Sequence, residues 1–386
     1  MNPSHTEHGR LHIAVAAEMI LGSPFAHAIN TFKTAGGFTR LGHRVTVFCL
    51  PAADGRTDAA LAAYGENSLK VRLITPDPSG DADAASRSFA IRAAEIARAL
   101  GCDMVYARNF HIAFEAPRLG LPTVIETHAH AGDPRPILDA LFAATRHPTH
   151  PIDAIATIAP ILRDHYIARG ADPARVHLVP DAADPDLFAR PPQWTARPAQ
   201  ARPLALYAGH LYDYKGIPTI LAAAALAPEI DWALLGGTDE DVRRVRASAA
   251  PIPNVRILGR VTHADTPRHL WDADVLVLPP SAHHPSAAWT SPVKLAEYLW
   301  ADRPIAASRI PGLENWIDEP AVAWCSPDDP SALAVSVRAL LGESPETSRR
   351  RALARAAAAA RFTYANRAAA MIAAAQCPPA RARASA

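Results

Sequence analysis

The chain has 386 residues, a hydrophobic fraction of 49% and a formal net charge of +1. That length allows two domains of ordinary size, and the mixed charges, without a basic block, argue against a nucleic-acid binder or a strongly anionic-membrane binder. Four cysteines, at 49, 102, 325 and 377, form no C-x-x-C pair, which argues against a disulfide framework or structural zinc and fits a reducing cytoplasm.

In chain order, the polar segment 1–10 does not read as a signal peptide, and no apolar run approaches the ~20 residues of a membrane span. Short apolar runs then alternate with helical patterns. Strands are predicted at His12–Ala16, Arg44–Phe48, Val71–Leu73, Met104–Tyr106, Thr123–Ile125, Ala154–Thr157 and Val176–Val179. A helix before the second strand should end near Leu41, with Gly42 as its C′ glycine. Residues 190–203 are proline-rich and aperiodic, and read as a linker. A second series follows at Leu204–Tyr207, Trp232–Leu235, Val255–Leu258, Val275–Leu278, Ile305–Ala307 and Val322–Trp324. Residues 331–375 read as nearly all helix, and 377–386 as a disordered tail. Repeated βα units imply parallel sheets covered by helices on both faces. The expected fold is α/β, two doubly wound Rossmann-like domains facing a cleft. Their expected bounds are 1–189 and 204–362, with helix 363–376 returning to the first domain. Neither series opens with G-x-G-x-x-G, and Walker A and G-x-S-x-G sequences are absent, which counts against a dehydrogenase, a nucleotide triphosphatase and an α/β-hydrolase.

Ser291-Pro292-Val293-Lys294-Leu295-Ala296-Glu297-Tyr298 opens a helix after the strand at 275–278. Lysine and glutamate three residues apart share one helix face, near unpaired N–H groups and a positive dipole end. Amides and lysine suit phosphates, and a carboxylate suits ribose hydroxyls. The plain alternative is a capped surface helix with a solvated Lys294–Glu297 pair. Gly209 ends a strand where backbone can approach a ligand, and Lys215 stands where the next helix begins, within reach of a phosphate. The alternative there is a strand–turn–helix with a solvated lysine. Around Arg256-Ile257, the backbone of another strand is placed to pair with a base edge.

The order of these motifs resembles the C-terminal half of family-four retaining glycosyltransferases, the glycogen-synthase-like group 1 enzymes of GT-B fold. It runs Gly-x5-Lys-Gly, a Leu-Gly-Gly strand end, Val-x-x-Leu-Gly-x-Val, Ala-Asp-Val-Leu-Val-Leu-Pro and Ser-Pro-x-Lys-x-x-Glu-Tyr. Gly42–Val47 and Val176–Pro180, followed by Asp184 and Phe188, extend the resemblance through the N-terminal half. The resemblance implies that Lys215 contacts a donor diphosphate, and that Glu297, the second glutamate of Glu-x7-Glu, holds ribose. Ser291, Pro292 and Val293 would offer backbone to the phosphate and sugar. His128 would face the transferred sugar, and Gly22 and Ser23 would form the loop that closes over the donor. His128, Lys215 and Glu297 are thus the expected catalytic residues. Two positions depart from the pattern. Trp289 stands where the first glutamate is expected, so recognition of sugar hydroxyls must differ, with the loop His283-His284-Pro285-Ser286 available for it. His210 stands where an arginine usually pairs with the lysine, and histidine is a pH-dependent cation.

The expected activity is transfer of a sugar from a UDP-sugar or GDP-sugar to a small-molecule, natural-product or glycan acceptor, with retention. No cofactor, metal or nucleic-acid partner is expected. His128, His130, His283 and His284 lack metal-site spacing. Asp272-Ala273-Asp274 reads as a structural turn, Asp239–Asp241 as a helix start, and Arg349–Arg351 as a solvated face. The rival readings are a nucleotide-sugar epimerase on the same fold and a non-catalytic nucleotide-sugar binder.

Overall fold

The computed structural model describes residues 9–376, apart from 24, 78–80, 131, 196, 199–200 and 291–292. The chain divides into two compact units, Met1–Pro180 with Tyr364–Ala386, and Asp181–Thr363.

The first unit holds a seven-stranded sheet. Its strands are β1 His12–Ile20, β2 Arg44–Leu50, β3 Lys70–Leu73, β4 Met104–Ala107, β5 Thr123–Glu126, β6 Ala154–Thr157 and β7 Val176–Leu178. Their spatial order is β3-β2-β1-β4-β5-β6-β7, all parallel. The second unit holds β8 Leu204–Ala208, β9 Asp231–Leu235, β10 Val255–Gly259, β11 Val275–Leu278, β12 Ile305–Ser308 and β13 Ala323–Cys325. Their order is β10-β9-β8-β11-β12-β13, again parallel. Both are doubly wound α/β sheets, as the alternating pattern implies. β4, β5, β6, β8 and β11 are buried along their whole length, which is why they read as continuous apolar runs. The edge strand β10 alternates between exposed and half-buried positions.

Three features depart from the sequence reading. β1 continues past Ala16 to Ile20, with a register shift against β2 between those residues. The polar Glu18 and the exposed Ile20 hide that extension from a hydrophobicity pattern. The division between units falls at Pro180–Asp181 rather than at 190–203. Prolines there mark irregular backbone, yet the stretch stays packed on the second unit. Trp194 meets Trp271 edge to face at 4.9 Å, and the Trp271 indole donates to the Phe188 carbonyl at 2.9 Å. The helical stretch 331–375 is three helices, Pro330–Leu341, Pro345–Ala359 and Tyr364–Gln376.

The last helix packs in the first unit against helix Ala26–Arg40. Gly37 permits the approach, since a Cβ there would lie 2.2 Å from the Tyr364 carbonyl oxygen. Ala368 and Met371 are fully buried in the core of that unit. Among the described residues no helix is long and apolar enough to cross a membrane.

Candidate active site

In the second unit, the segment after β8 is fixed from several sides. The Tyr207 hydroxyl donates to the His210 carbonyl at 2.7 Å, and the Arg244 guanidinium binds the Leu211 carbonyl and the Asp213 carboxylate. The Ser281 N–H, beyond β11, donates to the Tyr214 carbonyl at 3.0 Å. Gly216 has φ +85°, and a Cβ there would meet the Pro279 carbonyl oxygen at 1.7 Å, so only glycine allows this approach. Gly209, at the end of β8, donates its N–H to the Leu235 carbonyl at 2.8 Å.

This fixed segment carries a run of stacked rings. His210 lies on Tyr212 (5.0 Å between centroids, 3° between planes), Tyr212 on Tyr214 (5.5 Å), and Tyr214 on His284 (4.1 Å). The Lys215 ammonium sits 5.1 Å from the centre of the Tyr214 ring, and among the described residues no carboxylate pairs with it. Partial burial, then Lys294, lower its pKa from the ordinary lysine value. His210 is exposed at one side, and desolvation, then Lys294 and Lys215, hold its pKa below the ordinary histidine value. In the free protein His210 is therefore less a standing cation than the sequence comparison implies.

Helix Val293–Trp300 brings the glutamate in. The buried Tyr298 hydroxyl accepts from the Ala208 N–H at 2.8 Å, pinning the helix to the end of β8. Glu297 is only 3% exposed, which removes the solvated-pair reading. Its carboxylate meets the Lys294 ammonium at 2.9 Å and the His263 imidazole at 3.4 Å. Burial alone would push the carboxyl up, but Lys294 and His263 outweigh it and hold its pKa at about 2. His263 comes from the 3-10 turn His263–Asp265 after β10 and packs edge to face on Phe188. No spacing in the sequence ties it to Glu297, so pattern reading passes over it.

The structure brings Lys215, Lys294, His210, His263 and Glu297 into one electrostatic group. It does not bring Arg256 there. That side chain turns toward Asp231, 3.9 Å away at the amino end of β9. The Ile257 carbonyl on the sheet edge accepts from Arg246 at 3.2 Å and keeps a second lone pair. Ser291 and Pro292 lie outside the described residues, and Val293 begins the helix. His284 accepts from the Ser286 N–H at 3.2 Å, and exposed His283 lies 3.7 Å from Asp328. Asp274 accepts from the Leu204 N–H at 2.8 Å and pairs with Arg197 at 3.3 Å, a structural turn as expected.

In the first unit, His128 follows β5. Its Nε2 lies 2.8 Å from the Glu126 carboxylate, which is 1% exposed. Glu126 also meets Arg367, Arg108 at 3.5 Å and the Tyr106 hydroxyl at 2.5 Å. Burial raises its pKa, and Arg367, Arg108 and His128 overturn that, leaving it well below the carboxylate range. Arg367 also donates to Thr34 Oγ1 at 3.2 Å and to the Val179 carbonyl at 3.1 Å. A helix remote in sequence thus completes the support of His128. Gly22 and Ser23 form a tight turn closing on Ile20, and the Tyr64 hydroxyl donates to the Ser23 carbonyl at 2.9 Å.

Comparison with known proteins agrees with this architecture. Residues 31–187 match the model of Glycosyltransferase Family 4, and residues 202–343 match that of Glycosyl transferases group 1. No curated protein matches the chain by sequence. Among solved structures, a glycosyltransferase from Rickettsia africae is similar with a TM-score of 0.74 at 13% identity, covering 96% of this chain and 98% of that one. HepE of Anabaena, in complex with UDP, has a TM-score of 0.71 at 15% identity, with 94% and 99% covered. Sucrose-phosphate synthase from Thermosynechococcus elongatus has a TM-score of 0.67 at 17% identity, with 94% and 98% covered. With its two sheets in GT-B order and two domain matches that together span most of its length, the chain belongs to the group 1, family 4 glycosyltransferases, enzymes that transfer sugar from a nucleotide-sugar donor.

Proposed function

We propose that the donor is a uridine diphosphate sugar, that the acceptor presents a hydroxyl, and that transfer proceeds with retention and without a metal, in a reducing cytoplasm. One observation carries the reading. Glu297, buried and ionised, lies in the same electrostatic group as the Lys215 ammonium, which no carboxylate pairs among the described residues. A carboxylate suits vicinal ribose hydroxyls, and the cation suits phosphate. Uridine is favoured by HepE, solved with UDP, with UDP and glucose, and with UDP-glucose. Cys49, Cys102 and Cys325 are free and buried, in keeping with a reducing compartment.

In the proposed reaction the acceptor oxygen bonds to the anomeric carbon on the face from which the diphosphate leaves. The bond from that carbon to the β-phosphate oxygen breaks, and the acceptor proton passes to a β-phosphate oxygen. No protein nucleophile is required. Lys215, the amides at the start of helix Val293–Trp300 and His210 stabilise the negative charge that grows on the leaving group. A diphosphate beside His210 favours the protonated imidazole, so the histidine gains its charge when the donor arrives.

Incubation with a set of UDP-sugars, with and without EDTA, tests the reading. Release of UDP that persists in EDTA and accelerates with hydroxylic compounds supports it. An isomerised donor with no UDP released would indicate an epimerase, and a thermal shift without turnover a binder.

Glu297→Gln is expected to weaken UDP binding by about 1.5–3 kcal/mol, the scale of a charge-assisted hydrogen bond. The depressed pKa adds a pH signature. The stabilisation from Glu297 is complete above its ordinary value of 4.5 and is lost as pH falls toward about 2, and the variant should lack this component. Calorimetry and acid unfolding measure the two effects, and unchanged affinity would remove Glu297 from the donor site.

His128→Ala is expected to lower kcat about 100-fold or more, on the scale of a group acting at the reacting centre, with little change in UDP affinity. Steady-state kinetics beside UDP titration separates the two. An equal loss in both would place His128 at the nucleotide.

A further inference from the structure

We propose that His263 is a positioning residue: it fixes the plane of the Glu297 carboxylate and so makes the enzyme select ribonucleotide over deoxyribonucleotide donors. The inference rests on the reading of Glu297 as the acceptor for ribose hydroxyls, and it adds the residue that gives this acceptor its direction.

The carboxylate is held at both oxygens, from two different elements. Oε2 meets the Lys294 ammonium at 2.9 Å, and Oε1 meets His263 Nε2 at 3.4 Å. A carboxylate held at one oxygen can still turn about its last side-chain bond, a torsion with broad wells. A second partner on the other oxygen opposes that rotation. The two oxygens together offer about four acceptor sites, so each keeps one free after these contacts, and the free sites gain a set direction. Vicinal ribose hydroxyls present two donors in fixed geometry. A sugar without those hydroxyls gains nothing from the arrangement. Glu297 is buried, and in such surroundings a well-aimed hydrogen bond is stronger than in water.

The two partners differ in stiffness. Lys294 stands three residues before Glu297 on the same helix, partly exposed, and its ammonium ends a flexible four-carbon stem. It supplies charge more than direction. His263 arrives from the separate turn His263–Asp265 and is itself braced. Its ring packs edge to face on the fully buried Phe188, with 5.4 Å between centroids and 64° between planes. Around the turn, Thr262 Oγ1 accepts from the Asp265 N–H at 3.1 Å and donates to the Asp265 carboxylate at 2.7 Å. The Thr266 hydroxyl donates to the Thr262 carbonyl at 3.1 Å. A short, packed side chain on a tied turn keeps Nε2 in place, and supporting contacts of this kind set the precision of a binding site. In this role His263 acts through Glu297 and exchanges no proton with the substrates.

The experiment is calorimetry of the full chain with UDP and with its 2′,3′-dideoxy analogue. The ratio of the two dissociation constants is read within each variant, so effects on phosphate binding or on folding that both nucleotides share cancel. Wild type should favour UDP by about tenfold or more, the scale of a charge-assisted hydrogen bond. His263→Leu, which keeps apolar bulk beside Phe188, should cut that ratio by about threefold or more, the scale of an ordinary hydrogen bond. His263→Gln, whose amide N–H can take the place of the ring N–H, should restore most of it. His263→Asn, whose amide stops short of Glu297, should behave as the leucine variant does, and it carries the test if that variant does not fold. In a Glu297→Ala background no carboxylate is left to orient, so adding His263→Leu should leave the ratio where it stands. A wild-type ratio in both His263→Leu and His263→Asn, or a further fall in the Glu297→Ala background, overturns the proposal. Equal binding of the two nucleotides by wild type would instead remove Glu297 from the ribose and overturn the reading on which the proposal rests.

Discussion

Arg367→Met is expected to destabilise the first unit by about 3–5 kcal/mol, because removing one partner of a buried ion pair strands the other charge. Arg367 is 3% exposed and Glu126 1%, so water cannot replace the lost guanidinium. The variant also forfeits the hydrogen bonds to Thr34 and to the Val179 and Pro180 carbonyls. Adding Glu126→Gln should recover part of the loss, since it removes the stranded charge, and a double-mutant cycle isolates that coupling. The probe must be chosen with care. All seven tryptophans lie between 194 and 324, so their fluorescence follows only the second unit. Amide hydrogen exchange along β5 follows the first. Wild-type protection of those amides in Arg367→Met would show that the network adds nothing to stability.

Lys215→Ala should weaken UDP binding by about 2–5 kcal/mol, the cost of truncating one partner of a desolvated charge pair. Every 1.4 kcal/mol is about a tenfold change in Kd, so the loss is roughly 30-fold to several thousandfold. The lysine is already partly desolvated and pushed by Lys294, so a diphosphate gives this ammonium the counter-charge that no carboxylate supplies among the described residues. Removal should leave folding intact, because no carboxylate is stranded. Calorimetry with UDP at neutral pH gives the number directly. Affinity within about twofold of wild type, below one ordinary hydrogen bond, would mean that the phosphates bind elsewhere.

Much of this architecture is legible in the chain because fully buried parallel strands announce themselves as apolar runs. β4, β5, β8 and β11 are of this kind, and the sequence locates all of them to within a residue. The Lys294–Glu297 pair is legible for a similar reason, since a spacing of three places both side chains on one helix face. What escapes is long-range. His263 reaches Glu297 from a separate turn, and Arg367 reaches Glu126 from a helix that the sequence returns to the first domain without marking which of its side chains enters the core. The direction of the Arg256 side chain escapes as well. The motif around it names the right strand, but the arginine sits near its beginning and turns to Asp231, away from the glycine-bearing end. Motif order carries strand identity, and it does not carry the direction in which a side chain leaves the strand.

The placement of helix Tyr364–Gln376 in the first unit has a consequence for synthesis. Glu126 and its cation Arg367 are 241 residues apart. At roughly 5–20 residues per second, a ribosome needs about 10–50 s to cover that interval. During that time the sheet around β5 exists with its central carboxylate unmatched by Arg367. The second unit is contiguous and can complete itself as soon as its last residue emerges, whereas the earlier-made unit must wait for the later one. Folding order is therefore inverted relative to translation order. A nascent chain that stalls or is cut before residue 367 lacks the partner that steadies His128, so only chains translated through that point assemble the finished site.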